Sequence, residues 1–190
     1  MRLNNQGQGR AAVGAAVMAL LQDRVTHRTV WKIERYNEDM EGLGLSLEEF
    51  QRRFRPYHIS EFEGNVLLNE GINNVLTTLL GGGAATAYDN SNARLGVGDS
   101  STAEDATQAG LQGTSTAFQG MEAGYPTYGS SQQIVWRASF GGSAANFAWN
   151  EFTVVNAADD TGDNLLRKVS SQGTKTSGQT WVLTLTVTFS

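Results

Sequence analysis

Gly98-Asp99-Ser100 is the segment of this chain where a nucleophilic serine is easiest to imagine. A serine hydroxyl attacks only when a neighbouring base takes its proton, and that base is usually a histidine. The chain has two histidines, His27 and His58, and both precede the expected β domain that carries the serine. The expectation is therefore a loop whose glycines supply unusual backbone angles, not a hydrolase. Asp159, Asp160 and Asp163 with Gly162 form an acidic turn of the kind that attracts calcium, but their spacing does not match an EF-hand loop, so a solvated turn is expected. Glu104, Asp105 and Asp99 offer carboxylates for acid–base work on a glycan, with nothing in their spacing to fix a pair. Gly96-x-Gly98 lacks the third glycine of a dinucleotide loop, and neither a phosphate-binding G-x-x-x-x-G-K-[ST] run nor an H-E-x-x-H run occurs. With no cysteine, thiolate–metal sites and disulfides are excluded. No cofactor and no catalytic or metal-binding residue is expected.

Arg52, Arg53 and Arg55 make a short basic cluster flanked by Phe50, Phe54 and Tyr57. Nucleic-acid binding requires a broader basic surface, and the net charge of −5 opposes it. A salt-bridged helix face that docks on a partner is the expected role. Trp136, Phe140, Phe147, Trp149, Phe152 and Trp181 are read chiefly as core. Glu151, set between Trp149 and Phe152, needs a cationic partner there, with Arg137 and Arg167 the candidates. Tyr125-Pro126-Thr127-Tyr128 could form an aromatic platform for stacking on sugars.

These residues must be positioned by elements readable from periodicity. Thr29 to Tyr36 is expected as a strand with Trp31 and Ile33 on one face. Ser46 and Glu49 form a capping-box pattern opening a short helix, with Leu47, Phe50 and Phe54 on one side and Pro56 beyond its end. Leu68, Ile72, Val75, Leu76 and Leu79 recur at helical spacing and predict an amphipathic helix over 65–80, stopped by the glycines from Gly81 to Gly83. Within it, Gly71 marks a place where another backbone approaches closely. Strands are expected at 93–97, 113–121, 134–140, 147–155 and 165–170. The clearest is 181–189, where Trp181, Leu183, Leu185, Val187 and Phe189 alternate with Thr184, Thr186 and Thr188. The expected fold is mainly β: an antiparallel β-sandwich preceded by an amphipathic helix and an extended N-terminal arm.

The expected organisation is an arm and adaptor region at 1–63, then a helix plus β-sandwich domain at 64–190. Residues 1–60 carry a net charge of +2 and residues 61–190 a net charge of −7, so the two ends suit different surroundings. Ala11 to Leu21 favours helix, with Val13, Val17 and Leu20 on one face, but is too short to span a bilayer and needs a partner surface. Arg2, Arg10, Val13, Val17, Leu20, Arg24 and Arg28 are the expected interface residues. No signal peptide is read at the N-terminus.

Five segments carry a family resemblance: Asn65-Val-Leu-Leu-Asn-Glu-Gly-Ile72, Leu95-Gly-Val-Gly-Asp-Ser-Ser101, Ala145-Asn-Phe-Ala-Trp-Asn-Glu151, Leu166-Arg-Lys-Val169 and Thr184-Leu-Thr-Val-Thr188. Their order over residues 64–190 resembles virion structural proteins of tailed bacteriophages. The resemblance implies a many-copy structural protein with no catalytic residues. It would be a capsid decoration or cement protein, made in the host cytoplasm, binding the major capsid protein and its own copies, with no nucleic-acid or membrane partner. Two other readings stay open: a tail or baseplate adaptor for fibre attachment, and a carbohydrate-binding β-sandwich module.

Overall fold

The computed structural model describes residues 26–81, 83 and 85–190. Among these residues, ten strands form two five-stranded antiparallel sheets. The first sheet has the order β2-β1-β10-β7-β6, built from β1 (His27–Tyr36), β2 (His58–Glu63), β6 (Thr127–Ser130), β7 (Gln133–Phe140) and β10 (Thr180–Phe189). The second has the order β3-β9-β8-β4-β5, from β3 (Val66–Leu67), β4 (Arg94–Gly98), β5 (Thr116–Gly120), β8 (Glu151–Val155) and β9 (Asn164–Val169). Among the described residues there are two α-helices, α1 (Leu47–Arg53) and α2 (Asn69–Leu79).

The alternation in β10 determines how the first sheet is built. Trp181, Leu183, Leu185 and Val187 are buried, while the threonines between them are half-buried on the opposite face. β1 pairs with β10 over its whole length, from His27 opposite Phe189 to Tyr36 opposite Thr180. Opposed residues in an antiparallel ladder share a face, so Trp31 and Ile33 join the β10 residues on the inside. From the second sheet Leu95, Val97, Phe152, Val154 and Leu166 enter the same core. The two sheets therefore share one hydrophobic interior, an arrangement consistent with a β-sandwich. At the centre, the Trp149 ring packs edge-on to both Trp181 and Phe140 at centroid distances of 4.8 Å.

A second, smaller cluster lies on the other side of the first sheet, where Tyr36, Met40, Leu47, Phe50 and Val182 are buried together. α1 covers this end. Its capping box forms as expected: the Ser46 hydroxyl accepts from the Glu49 N–H, and the Glu49 side chain accepts from the Ser46 N–H.

Four expectations are corrected. The helix is shorter than 65–80, because Val66–Leu67 pairs with β9 before α2 starts. It also does not precede the β structure, since β1, β2 and β3 come first in the chain. Nor does the expected division at residue 63 separate an adaptor from the sheets. β1 and β2 supply two of the five strands of the first sheet, and Trp31 and Ile33 are fully buried in the shared core. A strand hydrogen-bonded along ten residue pairs to the chain's last strand belongs to the same folding unit. Phe147 to Asn150, expected in a strand, precede β8 as irregular chain with a single bridge from Ala148 to Thr174.

Candidate interaction surfaces and the chemistry of the loops

The long polar loop between β4 and β5 is organised from below by one buried ion pair. Glu151 opens β8 and Arg167 lies on β9; both side chains have no exposed area. Arg167 Nε donates to Glu151 Oε2 at 2.8 Å, and its Nη2 lies 2.6 Å from the same oxygen. Of the two cations the sequence offered, Arg167 is therefore the partner, and Arg137 instead pairs with Glu34 at 2.9 Å. Glu151 also accepts from the backbone N–H groups of Gln112 and Gly113, the latter at 2.7 Å. Arg167 donates upward to the Thr102 carbonyl at 3.0 Å and to Gln108 Oε1 at 2.8 Å. Gly98 is needed here, because a side-chain carbon at that position would fall on the Glu151 carboxylate.

The candidate catalytic groups are tied into this scaffold. Asp99 accepts from the Ser115 N–H at 3.1 Å, and hydrogen bonds from the Ser115 backbone and side chain hold its carboxyl below the usual range. The Ser100 hydroxyl donates to Thr102 Oγ1. Glu104 accepts from the Val169 N–H at 2.6 Å and Asp105 from the Thr107 N–H at 2.8 Å. His27 packs on Phe189 and His58 is exposed on β2, so the structure brings neither histidine to Ser100. In the acidic turn, Asp159 accepts from Thr161, while Asp160 turns inward toward the Leu111 N–H. Burial pushes the Asp160 carboxyl up to about 6. Among the described residues no group of three or more acidic, histidine or cysteine side chains is placed to hold a metal ion.

Lys175 was not singled out by sequence. It is fully buried, and its ammonium donates to the carbonyls of Gly141 and Ala144 and to Asn146 Oδ1 at 2.6, 2.9 and 2.9 Å. Burial pulls this ammonium down to about 8, against the opposing pull of Asp39 and Glu41. A lone lysine in a loop carries no periodic signal that would mark it as internal.

Two surfaces stand out. The first is the apolar side of α2. Gly71 and Asn74, not the leucine stripe, are its buried residues. A side chain at Gly71 would overlap the Leu165 backbone and the Asn164 carbonyl, so the helix lies directly on β9, as the glycine implied. Asn74 donates to the Thr86 carbonyl at 2.8 Å and accepts from its N–H at 3.2 Å. With those contacts fixing its rotation, Ile72, Val75, Leu76, Leu79 and Leu80 point outward; Leu79 is 76% and Leu80 87% exposed. Leu68 alone of the stripe is fully buried.

The second surface is a groove of about 520 Å³ on the outer face of the first sheet. Glu34, Arg137 and Thr184 lie along it, the segment from Phe54 to Pro56 borders it, and Tyr125 lines it as well. The Arg137 guanidinium lies 5.9 Å from the centroid of the Tyr125 ring. Tyr128, the other half of the expected platform, stands on edge strand β6 and is 80% exposed.

Of the expected interface residues, Arg2, Arg10, Val13, Val17, Leu20 and Arg24 lie outside the described residues. Arg28 is on β1, ion-paired with Glu63 of β2 at the surface. Arg52 pairs with Glu48 one helical turn away, as a salt-bridged helix face would. No helix among the described residues is long and apolar enough to cross a membrane. The chain matches no protein-family model, no curated protein and no solved structure.

Proposed function

We propose that this chain is a structural subunit that works by docking onto other proteins, a capsid decoration or cement protein of a tailed-phage virion. The observation that carries the docking role is the exposed aliphatic side of α2. Five large aliphatic side chains lie outward on or directly after a helix of 11 residues. Scattered surface leucines need no explanation, but a contiguous apolar patch on a folded chain marks a contact surface. The only charged residue within α2, Glu70, accepts from the Asn164 N–H at 2.8 Å, which leaves the outward side uncharged. Such a face suits the apolar centre of a protein interface. The occupant in this reading is a subunit of the capsid shell, with the chain's own copies alongside it. The virion assignment itself rests on the resemblance of the segments within 64–190.

The N-terminal residues from Arg2 to Arg24 are the second proposed contact, a basic segment joined to an acidic body. The test is cosedimentation of the purified chain with empty capsid shells, with and without residues 1–22. Saturable binding in many copies per shell, lost on truncation, is the expected result. Undiminished binding by the truncated chain would remove the N-terminal segment from the interface, and no binding by the intact chain would overturn the decoration role.

A further inference from the structure

We infer that the groove on the outer face of the first sheet is a binding site for a carboxylate-bearing saccharide, separate from the docking surface on α2. Its chemistry differs from the rest of the molecule. The chain carries a net charge of −5, yet Lys32, Arg55 and Arg137 line the groove against a single carboxylate, Glu34. Glu34 is engaged by both Arg137, at 2.9 Å, and Lys32, at 3.4 Å. Arg55 is exposed and has no ion pair among the described residues. The positive charge of the groove is thus only partly neutralised, which favours an anionic ligand.

The remaining groups suit a sugar ring more than a bare anion. Tyr125 presents a half-buried aromatic ring at the groove, and the apolar face of a pyranose packs on such a ring while its hydroxyls stay at the edge. Those hydroxyls both donate and accept. Glu34 supplies acceptors and Arg137 donors side by side, the Thr184 hydroxyl does both, and Gln51, whose amide donates to the Tyr36 hydroxyl at 3.0 Å, keeps its carbonyl oxygen as an acceptor. A volume of about 520 Å³ accommodates a ligand of one or two sugar rings. The carboxylate of the sugar would meet Arg55, whose planar guanidinium can bind it through two parallel hydrogen bonds.

The test starts from the full-length chain on an array of uronate-bearing, sialate-bearing and neutral saccharides, followed by calorimetric titration of the tightest hit. The expected result is binding to an acidic saccharide that weakens as salt is raised. It should weaken about tenfold or more in Arg55→Gln, the loss of one charge-assisted contact, and also in Tyr125→Ala. Arg55→Gln removes an exposed side chain without an ion pair, so it remains decisive even if Tyr125→Ala folds poorly. Leu79→Asp, on α2, should leave saccharide binding unchanged, so a failure here and a failure of the docking role are separable. No binding to any acidic saccharide would overturn the inference. So would equal binding to neutral saccharides, equal binding to a tetraglutamate peptide, or unchanged affinity in Arg55→Gln.

Discussion

Glu151 and Arg167 form the one ion pair among the described residues in which neither side chain has any exposed area. Together they neutralise each other out of contact with bulk solvent and hold the β4–β5 loop through bonds to Gln112, Gly113, Thr102 and Gln108. Removing one partner leaves the other charge buried and unpaired, which typically costs about 3–5 kcal/mol. Glu151→Ala should therefore lower the stability measured by denaturant unfolding by roughly that amount; a loss within about 0.5 kcal/mol, as at an ordinary surface site, would contradict this role. Asp160 gives the chain a pH signature. Its folded value of about 6 lies above the ordinary 3.8. Between those values the folded chain retains a proton that the unfolded chain has released, so stability falls as pH rises through the window, and the penalty is complete above it. Asp160→Asn keeps an acceptor for the Leu111 N–H and removes the charge. It should raise the melting temperature at neutral pH and change it little in acid below the ordinary carboxylate range, with thermal melts at the two pH values as the check. At this scale the sequence was informative where chemistry forced a partner: a carboxylate between Trp149 and Phe152 had to find a cation. It was silent on which cation, because that depends on the strand order, which sets Arg167 beside Glu151 and Arg137 beside Glu34.

Among the elements, β10 was the most legible and α2 the most misleading. β10 lies between β1 and β7, and its Trp181 touches the Trp149 ring and the Arg35 guanidinium, the latter 4.6 Å from its ring centroid. Trp181→Ala removes this buried ring and should destabilise the fold by roughly 3–5 kcal/mol, measured by the unfolding midpoint; a variant that melts like the parent would contradict the packing described. Strict alternation made this strand readable because both its neighbours impose the same two-sided environment. β2 and β6 went unread for the converse reason. They are the two edges of their sheet, exposed along much of their length, and the segment His58–Glu63 mixes polar residues onto both faces. In α2 the helical period was legible but its orientation was not. A stripe of leucines says that one face is apolar, not which body covers it. Gly71 and Asn74 fix the rotation instead, one by close approach to β9 and the other by its bonds to Thr86.

For the molecule as a whole, two sheets share one core, and the surfaces left over define what it can bind. The core is self-sufficient without the α2 stripe: Ile72, Val75, Leu76, Leu79 and Leu80 are exposed while the sheets close around Trp149 and Trp181. Charged substitutions at Leu76, Leu79 and Leu80, each more than half exposed, should therefore change stability by no more than about 1 kcal/mol apiece. An overall mainly-β architecture was legible from strand periodicity and turn residues. The role of residues 27–63 was not, because pairing between the first and last strands of a chain leaves no local mark in either segment. The most direct test of the docking role is the number of copies of the Leu76→Asp/Leu79→Asp variant bound per empty capsid shell, compared with the parent at equal concentration. The account predicts a cooperative melt within a few degrees of the parent and a loss of most shell-bound copies; a variant that folds and fills the shell like the parent would show that α2 is not the docking surface.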